Sequence, residues 1–203
     1  MSRQPKDGPP VQTWPSPLRV RRGFSMLELL IVVGIIMLVS AISFPAITRS
    51  VRAYRLGGAA ANLSSTLQLA RFDAVRLNRS NPPLSLRRVI VGNLNVVWVD
   101  RNGNGAPDAT EPQQSFSTEI QFLPAGTGLS VASMGYATTQ VSPAAVAFDA
   151  RGTVNFGVAA PVVYIFVFGY PNQPNEGYTA VSLLPSGKTQ QWRASANGPW
   201  QKR

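Results

Sequence analysis

The 203 residues include nineteen Lys and Arg against nine Asp and Glu, a formal net charge of +10, and neither Cys nor His. That length allows one core-bearing domain with some chain beside it. Without Cys there are no disulfides or thiolate metal sites, and without His the commonest general base and metal ligand is missing, so the composition speaks against a hydrolase or zinc protein and the chain is read as non-enzymatic.

The charge is unevenly placed. Before Phe24 stand Arg3, Lys6, Arg19, Arg21 and Arg22 against Asp7, and a chain beginning at Phe24 would keep about +6, enough to attract an anionic partner. Residues 1–23 are rich in Pro, Ser, Gly and Arg and show neither the helical nor the strand period, so they are read as an unstructured leader. Next come Gly23-Phe24-Ser25-Met26-Leu27-Glu28 and an uncharged apolar run from Leu29 to Phe44. At about 1.5 Å per residue, a helix over residues 24–45 crosses the roughly 30 Å hydrocarbon core of a bilayer. Gly23 is the small residue between the basic cluster and the apolar run, so cleavage there keeps the membrane segment, unlike removal of a secretory signal peptide. The positive-inside rule holds the basic cluster in the cytoplasm and places the rest beyond the inner membrane, against the opposing bias of Arg49, Arg52 and Arg55. Glu28 is a carboxylate at membrane depth, where charge is costly and marks a function or a partner. If the chain begins at Phe24, its new α-amino group lies one helical turn away, and the Glu28 of one subunit can neutralise the amine of another. The plainer alternative is a carboxylate that snorkels to water.

Arg22-Gly23-Phe24-Ser25-Met26-Leu27-Glu28-Leu29-Leu30 resembles the class III signal of type IV prepilins and type II secretion pseudopilins. The resemblance implies that a prepilin peptidase cuts after Gly23 and methylates Phe24, that Glu28 is the glutamate used in assembly, and that Pro45 matches the proline that kinks the family's long helix. It also implies other pilins or pseudopilins as partners in a filament.

Proline inside a helix removes a donor and clashes with the preceding turn, so Pro45 is expected to bend or locally melt it. An amphipathic helix is expected over residues 46–80, with Leu63, Leu67, Ala70, Ala74 and Leu77 on the packed face, the poor helix formers Gly57-Gly58 either fraying it or held by close packing, and an end at Asn81-Pro82-Pro83. Beyond it, 84–203 reads as a β-rich periplasmic head. Strands are expected at 84–91, 94–100, 115–123, 145–149, 153–156, 162–169 and 178–184, with turns at Ala150-Arg151-Gly152 and Pro185-Ser186-Gly187. A helix followed only by strands is α+β, here a long N-terminal helix packed on an antiparallel sheet. The order resembles the pseudopilin H (GspH/FimT) branch, which carries an Asp- and Asn-rich loop (100–111 here), a Phe-Asp-x-x-Gly turn (148–152) and a Pro-Ser-Gly-Lys turn (185–188).

Two constellations leave alternatives open. Asp100, Asn102, Asn104, Ala106, Asp108 and Glu111, with Gly105 at the sharp turn, fit the twelve-position calcium loop, where oxygens at alternate positions surround a hard cation. Asx- and Gly-rich loops between strands also arise simply because they turn well. Toward the end, Lys188, Trp192, Arg193, Trp200, Lys202 and Arg203 mix cations with indoles, which suits DNA phosphates and bases. A solvated basic tail is the alternative. Some members of the branch are DNA receptors with a Gly-Arg-x-Arg stretch, of which Gly187-Lys188-Thr189-Gln190 keeps the first cation. Asp149 with Arg151, and Asp73 with Arg76, are read as surface pairs or turn residues.

Overall fold

The computed structural model describes residues 23–79, 84–91, 94–123, 130–154 and 161–203, and begins with one helix, α1 (Met26–Arg76). Ser25 and Glu28 have the S-x-x-E spacing of a capping box, and Glu28 lies in the first turn, where a carboxylate complements the helix dipole. Of the expected leader, 1–23, residues 1–22 lie outside the described residues.

The chain divides at Phe44 and Pro45 into two units. In the first, none of residues 23–44 is buried. In the second, α1 buries Leu56, Ala59, Ala60, Leu63, Leu67, Ala70 and Ala74 at spacings of three and four, the stripe of a helix packed on one side. For α1 one open alternative is decided and one expected boundary is moved. It runs unbroken through Gly57-Gly58, because the buried Leu56, Ala59 and Ala60 on either side outweigh the roughly 1 kcal/mol per glycine that helix propensity costs. It ends at Arg76, before Asn81-Pro82-Pro83, which lie outside the described residues. Asn78 takes a left-handed φ of 48°, its N–H donates to Val75 O and the Arg79 N–H to Ala74 O. This is the Schellman pattern, with Asn in the place of the more usual Gly. Leu77 falls in that cap and is exposed.

The head holds two sheets where one was expected. The first has the order β3-β2-β1-β6, from β1 (Leu84–Val91), β2 (Leu94–Asp100), β3 (Gln113–Ser115) and β6 (Ala145–Phe148). The second has the order β10-β9-β8-β7-β4, from β4 (Gln121–Phe122), β7 (Val163–Gly169), β8 (Tyr178–Leu183), β9 (Thr189–Ala194) and β10 (Gln201–Lys202), with β5 (Thr139–Val141) also on β7. Pairing is antiparallel except between β5 and β7. The single strand expected over 115–123 is instead β3 and β4, one in each sheet, because the Ser117 to Ile120 turn, closed by Ile120 N–H on Ser117 O, carries the chain across. Of 153–156, Val154 makes an isolated bridge to Phe148, and 155–156 lie outside the described residues.

The helix stripe meets Leu84, Leu86, Val97, Val99 and Phe148 of the first sheet and Phe122, Phe166, Phe168, Val181 and Leu183 of the second in one core, joined by Phe116. A smaller cluster covers the other face of the second sheet, where Ile165, Val167, Ala180 and Trp192 pack under Met134 and Trp200. The architecture is α+β and type IV pilin-like, a long N-terminal helix whose second part packs on antiparallel sheets.

Candidate functional site: the N-terminal helix and the charged loops of the head

Gly23, Phe24 and Ser25 precede the first helical residue and are exposed, so the bond after Gly23 is open to a peptidase. Behind it the helix presents Met26, Leu27, Leu29 and Leu30 to its surroundings, with Glu28 the acidic residue of the first turn. Helical backbone continues through Pro45, so the local melting expected there is absent, and Thr48 Oγ1 donates to Pro45 O at 3.0 Å. A chain of apolar side chains with no protein cover is stable only in lipid or against other apolar helices. Among the described residues one helix is long and apolar enough to cross a membrane, and it is α1.

In the loop 100–111 the expected ligand oxygens face N–H groups. Asp100, whose side chain is fully buried, accepts from Gly103 N–H at 2.7 Å and Gly105 N–H at 3.1 Å. Glu111 accepts from Arg101 N–H at 2.7 Å and Asn102 N–H at 3.3 Å, and Asp108 from the side-chain amide of Asn104 at 2.9 Å. Asn102 and Asn104 accept from the N–H groups of Asn104 and Ala106. Arg87 Nε lies 2.7 Å from Asp100 Oδ2, an ion pair without the angles of a hydrogen bond. Among the described residues no group of three acidic side chains is placed to hold a metal ion. As arranged, the loop's oxygens are occupied without a cation. Their charge is met by Arg87 and by the loop's own amides.

The expected basic tail is sheet. Trp192, in β9, is buried and its indole N–H donates to Ser182 Oγ at 2.9 Å, with Tyr136 edge-on at 5.9 Å. Trp200 is buried too, its indole N–H on Ser130 O at 3.1 Å. Neither ring offers a face for stacking, which corrects that part of the DNA reading. The polar run Thr189-Gln190-Gln191 hid β9. The cations remain exposed but diverge. Arg193 pairs across the ladder with Gln201 and Lys202 with Trp192, so Arg193 and Lys202 leave opposite faces of the sheet. Arg203 lies against α1, its Nη1 3.0 Å from where a Cβ on Gly57 would stand. Lys188 is elsewhere: Arg71 Nε donates to Gly152 O at 3.0 Å, and a Cβ at Gly187 would come within 2.8 Å of the same nitrogen. Arg71 therefore gathers both turns, and with them the exposed Arg151 and Lys188.

The Asp149 carboxylate behaves as a turn residue. Slight burial pushes its pKa up, but the Thr153 hydroxyl and the N–H groups of Thr153 and Arg151 outweigh that and hold it below the usual carboxylate value. Asp73 is a correction. It is 2% exposed, accepts from Arg101 Nε at 2.9 Å and has Arg76 at 3.6 Å. Its place beside Ala70 and Ala74 on the helix was the available signal. Sequence reading missed Arg52 to Glu176 at 2.8 Å and Arg55 to Glu119 at 2.9 Å, which join residues far apart in the chain and carry no local signature.

A family model described as the prokaryotic N-terminal methylation motif matches residues 18–44. No curated protein and no solved structure matches the chain. The matched stretch contains Gly23, Phe24 and Glu28 and ends at Phe44, immediately before the proline of α1. With this motif at the head of a helix long and apolar enough to span a membrane, the chain carries the N-terminal signal of a type IV prepilin-like protein, and the motif implies processing by prepilin peptidase and assembly with other pilins.

Proposed function

We propose that this is a minor pilin or pseudopilin of the pseudopilin H (GspH/FimT) kind, which enters a type IV pilus or type II secretion filament through α1 and acts in its assembly or priming, without catalysis or a required cofactor. Before assembly it crosses the inner membrane once, with the residues ahead of Gly23 in the cytoplasm and the head in the periplasm. The observation that carries this reading is the stretch 24–51, leading into and along α1, whose large apolar side chains are all exposed and whose one acid is Glu28. A carboxylate in that setting needs a cationic partner, and the α-amino group created at Phe24 is one. Glu28→Ala is expected to leave the melting of the full chain in detergent within about 0.5 kcal/mol of wild type, as for surface changes, while lowering its recovery in sheared filaments. Gly23→Val is expected to leave unprocessed chain in the membrane, and wild type to show Phe24 as its N-terminal residue by mass spectrometry. Normal incorporation of Glu28→Ala, or another mature N-terminus, refutes the proposal.

One observation favours a second reading, DNA capture. The two turns that carry the exposed Arg151 and Lys188 meet at Arg71, and neighbouring cations attract phosphate without regard to base sequence.

A further inference from the structure

The first helix residue anchored in the head's core is Leu56. Between Pro45 and Arg55 no residue of α1 is buried, and what holds this stretch to the head is polar. Arg52 pairs with Glu176, Arg55 with Glu119, and Tyr170 Oη donates to Arg52 O at 3.2 Å. An open cleft of about 420 Å³ lined by Arg52, Glu119, Gln121 and Tyr170 runs beside these contacts and admits water to them. The Arg55–Glu119 pair is exposed and the Arg52–Glu176 pair part-buried beside the cleft, and pairs that water and ions can reach are weak and screened by salt. Directly behind Leu56 stand Gly57 and Gly58, the poorest helix formers after proline, and a Cβ on Gly58 would meet nothing within 4 Å. A bend centred there moves Leu56, about 2 Å away along the axis, very little, but swings Arg52, about 8 Å away, clear of its partners.

We propose that residues 46–55 of α1 form a detachable arm, jointed at Gly57-Gly58 and latched to the head by the Arg52–Glu176 and Arg55–Glu119 pairs. Charge in the surroundings then sets whether the arm lies on the head or leaves it. The device is independent of which filament the chain enters.

The chain has no cysteine, so Ser50→Cys with Asn172→Cys gives two defined spin-label sites on the full chain in neutral detergent. At about 0.1 M sodium chloride the interlabel distance is expected to be narrowly distributed, and at about 1 M, where the screening length falls to roughly 3 Å, broad and longer. Glu119→Gln with Glu176→Gln is expected to reproduce the broad distribution at low salt, with the thermal melt confirming a folded head. Arg49→Gln, a residue outside both pairs, is expected to leave it narrow. A narrow distribution in the double variant overturns the proposal, whatever salt does, and so does one that is unchanged by salt.

Discussion

At Gly187 the backbone takes a φ of 77°, and a Cβ there would sit 2.2 Å from Gly152 O and 2.8 Å from Arg71 Nε. An L-residue loses about 1–2 kcal/mol in that conformation, and the collision with a backbone oxygen cannot be relieved by a rotamer change. Gly187→Ala is therefore expected to destabilise the head by more than about 3 kcal/mol, measured by denaturant melting of the full chain in detergent. Gly58→Ala is the contrasting case: it lies in the helix, has open space at Cβ and is expected to stabilise by up to about 1 kcal/mol. A wild-type midpoint for Gly187→Ala would contradict the close approach of the two turns. Both turns were legible in the sequence, from Ala150-Arg151-Gly152 and Pro185-Ser186-Gly187. Their meeting over Arg71 was not, since it joins residues more than eighty positions apart and depends on the whole sheet order.

Among the elements, the loop between β2 and β3 best separates what spacing can and cannot tell. Alternating Asp and Asn with Gly105 showed that oxygens would converge. Whether they converge on a cation or on N–H groups depends on Arg87, which comes from the neighbouring strand and pairs with the buried Asp100. If Arg87 and the loop's own amides suffice to close it, an added ion brings no stability, since a ligand stabilises only by binding the folded state. The melting temperature of the full chain is expected to be the same with millimolar calcium and with chelator. Asp100→Ala leaves Arg87 and two amide donors without a partner and is expected to cost about 3 kcal/mol under both conditions. A calcium-dependent rise that Asp100→Ala abolishes would restore the metal reading. The long strands β1, β2, β7 and β8 were legible from their β-branched and aromatic runs. The edge strands β3 and β10 were not, because at an edge polar residues are tolerated and the alternation is weak, and neither was β9, next to that edge, whose run Thr189-Gln190-Gln191 is polar.

For the molecule as a whole, charge is the property that composition announced and the fold has since distributed. Asp73, Asp100, Glu119 and Glu176 are held in ion pairs, and Glu111 and Asp149 accept hydrogen bonds from backbone amides of their own loops. The acids are thus largely engaged internally, while Arg151, Lys188, Arg193, Lys202 and Arg203 form no ion pair among the described residues. If DNA is a partner, the surplus acts through phosphate, so binding should be indifferent to base sequence and fall steeply with salt. Arg71, Arg151 and Lys188 together predict a slope of log affinity against log salt of about −3. Arg151→Ala with Lys188→Ala is expected to flatten that slope and weaken retardation of duplex DNA by the full chain in neutral detergent, with stability unchanged because both side chains are exposed. Arg193→Ala with Lys202→Ala removes equal charge from two opposite faces of the sheet edge and is expected to do less. Trp192 and Trp200, being buried, contribute no stacking, so replacing either by Phe is expected to lower stability without a separate loss of DNA affinity. Retardation by the Arg151/Lys188 variant equal to wild type, or none by wild type at about 0.1 M salt, would remove the DNA reading and leave assembly alone.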